Sequence, residues 1–188
     1  MIEEHEPSLR RSPSEYFALV EAGVISPDDR VELLEGVIVA MSPQRPQHAA
    51  TVWKITGLLE THVGERALVR SQMPLVLAGR SVPEPDVAVV PFRADAYATE
   101  HPDHAYLIVE VSDSTLPQDR LTKSRIYAAA GVEHYWVVNL RTSQVEWSSS
   151  SEPETSVYRE RGVAGGEDAL PPTELGFRLR ACDLFPSR

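Results

Sequence analysis

Cysteine is almost missing: Cys182 is the only one among 188 residues, so neither an internal disulfide nor a thiolate metal cluster can form. No apolar stretch approaches the ~20 residues that a bilayer-spanning helix needs. The opening Met1-Ile2-Glu3-Glu4-His5-Glu6 is acidic where a secretory signal would be basic. These absences predict a cytoplasmic protein that does not enter a membrane. The chain also lacks a Gly-x-Ser-x-Gly elbow, a glycine-rich phosphate loop, any signature around Cys182 and any internal repeat, which removes the commonest nucleophilic and nucleotide-binding classes. Finally, it lacks an excess of Lys and Arg. The net charge is −10, the wrong sign for a general nucleic-acid coat protein. That acidity is uneven. Residues 1–35 carry nine acidic and three basic side chains, whereas residues 36–150 carry twelve and ten, so a local basic groove is compatible with the middle of the chain.

What remains is the composition of an ordinary globular protein, 42% hydrophobic and 24% charged. The length predicts a single domain, with a core over about residues 12–140 and a C-terminal β extension over 141–188. Ser12, Pro13 and Glu15 form a capping box that starts a helix ending near Ala22. Val31–Leu34 and Val37–Met41 flank Glu35-Gly36 as a hairpin. Val52, Ile55, Leu59 and Val63 space one apolar face of a helix over Gln47–Val63. Leu68–Ser71, Pro74–Leu77, Val87–Val90 and Ala105–Val111 are expected strands, the last an unbroken apolar run covered on both faces. A second helix is expected over Pro117–Ala130, stopped by Gly131. Tyr135–Leu140 and Gln144–Trp147 follow as a hairpin, Ser148–Ser151 as a flexible connection, and Val157–Arg161 and Gly176–Arg180 as closing strands. Trp53, Trp136, Trp147, Tyr127 and Tyr135 are expected to pack the core or the sheet. The result is an α/β (α+β) fold, a central mixed sheet flanked by helices with an N-terminal helix and hairpin.

Two carboxylates stand out. Asp86 leads into the Val87–Val90 strand, and Glu110 ends the apolar run before it. Carboxylates at the ends of adjacent strands repel each other, and a hard divalent cation with oxygen ligands would remove the conflict. The pattern alone leaves open whether they bind a metal or cap backbone groups at a sheet rim. Lys123 lies on the following helix, where it is placed either to stabilise charge on a phosphate or to pair with Asp119 on the helix surface, four residues earlier. His48 shares the inward face of Val52 and Ile55, which favours a hydrogen-bonded structural histidine over a magnesium ligand. His5, His62, His101, His104 and His134 lack metal-ligand spacing.

The segments Val31-Glu32-Leu33-Leu34-Glu35-Gly36, Pro85-Asp86-Val87-Ala88-Val89-Val90, Leu107-Ile108-Val109-Glu110-Val111-Ser112-Asp113-Ser114 and Asp119-Arg120…Lys123…Tyr127 through Val138 resemble, in order and spacing, the Uma-two family of restriction endonucleases in the PD-(D/E)XK nuclease superfamily. The resemblance implies a restriction-endonuclease-like fold and magnesium-dependent hydrolysis of DNA phosphodiesters, with manganese as a substitute. It implies that Asp86 and Glu110 hold the metal and act in catalysis with Lys123 and Glu32. The superfamily's lysine would fall at Ser112, and in this family Lys123 takes its place. His48, Asp119 and Ser112 are then supporting residues behind the ligands, and Asn139 replaces an Asp. DNA is the implied partner, and a homodimer is compatible with a small domain that cuts duplex DNA. The competing reading is a non-catalytic nucleic-acid-binding or partner-binding protein that keeps the fold.

Overall fold

A computed structural model describes residues 10–26, 28–113 and 116–186; His5 and Ser114 lie outside them. Helix α1 (Pro13–Glu21) begins at the expected capping box, with the Ser12 side chain accepting from the Glu15 N–H and Glu15 accepting from the Ser12 N–H. The hairpin β1 (Val31–Leu34) and β2 (Val37–Ala40) pairs Leu34 with Val37. Its turn puts both Glu35 (φ 49°) and Gly36 (φ 83°) in the left-handed region, the requirement that favours glycine there. A Cβ on Gly36 would also fall 2.7 Å from that of Arg10.

Helix α2 (Pro46–Val63) buries Val52, Ile55, Leu59 and Val63, the stripe its spacing predicts. Strands β3 (Ala67–Arg70), β4 (Val87–Pro91), β5 (Leu107–Ser112), β6 (His134–Asn139), β7 (Gln144–Glu152) and β8 (Val157–Gly165) form one sheet in the order β3-β4-β5-β6-β7-β8. All its pairings are antiparallel except β5 with β6. That parallel step needs a crossover, supplied by α3 (Leu116–Gln118), a π-turn at Asp119–Lys123 and α4 (Ser124–Ala129).

The sheet is covered on both faces. Val87, Val89, Leu107, Val109, Val111 and Trp136 pack with α2 and with the C-terminal residues Leu170, Leu179 and Leu184. The alternate residues Ala88, Val90, Ile108, Tyr135 and Val137 pack with Ile126 and Tyr127 of α4. Two faces covered by apolar layers explain why β5 reads as an unbroken hydrophobic run. Tyr16 and Ile25 hold α1 against Leu33 of the hairpin and Val82.

Five expectations are corrected. Ser148–Ser151 is not a flexible link but part of β7, with Ser148 and Ser149 paired to both β6 and β8 and Ser151 to β8. Residues 74–77 and 176–180 contribute only isolated bridges, Leu77 to Ser81 and Ala169 to Arg180. The second helix is not uniformly α, because the π-turn interrupts it. Trp53 is 81% exposed, since it follows Val52 by one position and falls off the buried stripe.

Candidate active site

The register of β4 on β5 pairs Val87 with Val109 and Ala88 with Ile108. Continuing it by one residue sets Asp86 opposite Glu110. Both carboxylates line one cleft, a cavity of about 80 Å³, together with Glu32, His48, Asp119 and Lys123. Side chains directly opposite on an antiparallel pair approach most closely, and like charges there are unfavourable. The cleft carries further acids in Glu84 and Asp113, against the cations Arg30, Arg45 and Lys123.

Each acid is held by different neighbours. Asp86 Oδ2 accepts the Val111 N–H at 2.8 Å and lies 3.0 Å from His48 Nε2, while Gln72 Nε2 donates to Oδ1 at 3.2 Å. Glu110 Oε1 receives the Lys123 ammonium at 3.0 Å and the Tyr127 hydroxyl at 2.8 Å. Lys123 Nζ also lies 3.2 Å from Glu32 Oε2, which accepts the Glu84 N–H at 3.3 Å. Arg125 on α4 grips Glu35 with two bonds of 3.0 and 2.7 Å, fixing the hairpin that carries Glu32 against the helix that carries Lys123.

Lys123 and Asp119 are both buried, Lys123 with only 5% exposure, so the surface-pair alternative is excluded for this lysine. The Ser124 N–H reaches back to the Asp119 carbonyl, the i to i+5 bond of a π-turn, and Tyr135 donates to the same carbonyl at 3.0 Å. Such turns recur at functional sites. Ser112 is buried but does not line the cleft. Asn139 Oδ1 accepts the Arg141 and Thr142 N–H groups at 3.1 and 3.4 Å, shaping the turn after β6.

Burial pushes the Glu110 carboxyl up to about 8, with Lys123 opposing the shift and Asp86, Asp119 and Glu32 adding to it. Burial alone would lower the Lys123 ammonium, but Glu110 and Glu32 outweigh it and hold the lysine firmly charged. The two directions are compatible. One ammonium cannot neutralise three carboxylates, so the most crowded acid keeps its proton more readily. Burial resists charging of His48, yet the hydrogen bond and charge of Asp86 raise it above its ordinary value.

Among the described residues no three carboxylate, imidazole or thiolate side chains are gathered to hold a metal ion by themselves. Two opposed carboxylates fit magnesium nonetheless, because this ion is commonly held by one or two carboxylates with waters and substrate phosphates completing its shell. Asp86 and Glu110 are the residues that could hold it. His48 on α2 holds Asp86 through the 3.0 Å contact and would orient that carboxylate were a cation bound, in keeping with magnesium's preference for oxygen.

Sequence reasoning missed Glu84 and Tyr127. Burial, then repulsion from Glu32, raises the Glu84 carboxyl; its signal was an acid two residues before Asp86. Tyr127 does more than pack: it stands four residues after Lys123, and a buried tyrosine hydroxyl needs a partner, here Glu110.

The site sits on a mixed sheet flanked by helices, with two carboxylates and a buried lysine lining one cleft. Residues 13–182 match the family described as "Uma2: Putative restriction endonuclease", and the chain belongs to that family. No curated protein matches. The fold is similar to a crystal structure described as "a putative nuclease belonging to DUF820 from Anabaena variabilis", with a TM-score of 0.74, 16% identity, and coverage of 93% of this chain and 97% of that one. Among the described residues no helix is long and apolar enough to cross a membrane.

Proposed function

We propose that this protein is a magnesium-dependent endonuclease that hydrolyses DNA phosphodiester bonds in the cytoplasm. The observation that carries the reading is the convergence of Asp86, Glu110 and Lys123 on one cleft, with Lys123 3.0 Å from Glu110. Hydrolysis adds a water oxygen to phosphorus, breaks one P–O ester bond and delivers a proton to the departing oxygen. Magnesium, when bound, supplies Lewis acidity at the phosphate and a more acidic water. The chain's own residues do the rest. Asp86, fixed by the Val111 N–H and His48, holds its carboxylate toward the cleft without having to reorganise. Lys123, kept charged by Glu32 and Glu110, offers an ammonium to the charge that builds on the phosphate oxygens. Tyr127 restrains Glu110 Oε1 and so limits the rotation of the second ligand.

Supercoiled plasmid incubated with magnesium, manganese or EDTA tests the proposal. Nicking or linearisation is expected with either metal, and none with EDTA or in Asp86→Ala. Duplex binding without cleavage under any metal would replace this reading with the non-catalytic one.

A further inference from the structure

We propose that Arg45 and Arg141, drawn together on Asp113 at the rim of the cleft, form the anchor that seats a DNA backbone phosphate over Glu110. The inference rests on the nuclease reading and adds the residues that hold its substrate. Asp113 Oδ2 accepts from Arg45 Nη1 at 3.0 Å, and Oδ1 accepts from Arg141 Nε at 3.3 Å. Arg45 and Asp113 line the cleft itself.

Three features separate this trio from an ordinary surface ion pair. First, two guanidinium groups share one carboxylate, leaving a local formal charge of +1 beside an acidic cleft in a chain of net charge −10. Secondly, the side chains of Arg45 and Arg141 are 75% and 65% exposed, against 24% for Asp113. Among the described residues each guanidinium bonds Asp113 through one nitrogen only, so most of its five N–H donors stay available for phosphate oxygens. Thirdly, both arginines come from stiff backbone. Arg45 precedes Pro46 at the start of α2, and Arg141 sits in the turn held by Asn139. Exposed pairs contribute little to stability, whereas a guanidinium fork suits a phosphodiester.

The full-length protein, its Arg45→Ala/Arg141→Ala double variant and Arg178→Ala as a remote control would be compared in two measurements. Fluorescence anisotropy of a labelled duplex in EDTA over a salt series gives affinity and its salt slope. Cleavage kinetics in magnesium give KM and kcat. The double variant should lose about tenfold or more in affinity, with the log–log salt slope smaller by roughly one phosphate contact. KM should rise with kcat nearly unchanged, because uniform binding is what has been removed. Its melting temperature should match that of the wild type. Unchanged affinity, slope and KM, or a loss confined to kcat, would overturn the anchor while leaving the nuclease reading intact. A wild type that binds through these arginines but never cuts would overturn the nuclease reading and keep the anchor. A wild type that neither binds nor cuts would overturn both.

Discussion

Lys123 Nζ lies 3.2 Å from Glu32 Oε2, and this contact joins the N-terminal hairpin to the crossover helix beneath the cleft. Neither residue could be isolated there alone. A buried ammonium without carboxylates, or buried carboxylates without a cation, would be far costlier than the pair. The lysine therefore belongs to the architecture as well as to the proposed chemistry, and its replacement should register in both.

Lys123→Ala is expected to destabilise the fold by about 3–5 kcal/mol, the range for removing one partner of a buried ion pair, instead of the few tenths typical of a helix-surface pair. Cleavage should fall by roughly a hundredfold or more, measured under conditions where the variant is folded. Lys123→Arg should rescue poorly, because a planar fork does not replace a compact ammonium. Urea denaturation decides the stability part, and a loss below 1 kcal/mol would contradict the buried pairing.

Glu110 has a pH signature. Its ordinary value is 4.5 and the folded value about 8, so the native state favours the protonated acid and loses stability as pH rises from 4.5 through 8. Glu110→Gln is neutral at every pH and keeps an oxygen for the Tyr127 hydroxyl. Its melting temperature should match that of the wild type near pH 5 and exceed it increasingly up to about pH 8, while cleavage is lost. If the wild type is the more stable protein at pH 8, attraction to Lys123 outweighs the burial of Glu110.

Replacing His48 tests the support given to Asp86. His48→Ala should fold, but its magnesium affinity, read from metal-induced thermal stabilisation, should fall about 10- to 100-fold, the usual cost of losing a residue that orients a ligand. Metal stabilisation identical to that of the wild type would reduce the 3.0 Å contact to incidental packing.

A control far from the cleft is provided by Gly162, which pairs with Trp147 across β7 and β8. A Cβ at Gly162 would sit 2.4 Å from the Trp147 ring, so Gly162→Ala should displace the indole and cost about 1–3 kcal/mol. Tryptophan fluorescence should shift while KM and kcat stay unchanged. An unshifted spectrum and melting temperature would show that the strands relax freely.

Local chemistry made much of the fold legible. The Ser12–Glu15 capping box, the Glu35-Gly36 turn and the α2 stripe each require only neighbouring residues to be read, and each forms where expected. Tertiary pairing hid the rest. Four serines carry no strand signal of their own, yet pairing of Ser148 and Ser149 to both β6 and β8, and of Ser151 to β8, keeps the segment in the sheet around a left-handed Ser150. The carboxylates could be chosen by their places at the edges of apolar runs, although Glu110 lies within β5 and not at its end, and only the fold brings both into one cleft. The Tyr127 hydroxyl and Glu84 became visible only when α4 and the segment before β4 were placed around the same cavity.

The π-turn at Asp119–Lys123 gives the length of the chain a role separate from its chemistry. A wide turn accommodates an extra residue between two stretches of ordinary helix, and substitution leaves that residue count intact. If the same five residues wound as ordinary α-helix, one stretch would rotate against the other by about 100°, one residue's share of a 3.6-residue turn. Tyr127 and Lys123 would then keep their identities and lose their common aim at Glu110, or Asp119 would swing out of the cleft. The site is thus encoded partly as a phase, which the wide turn sets independently of the side chains it carries.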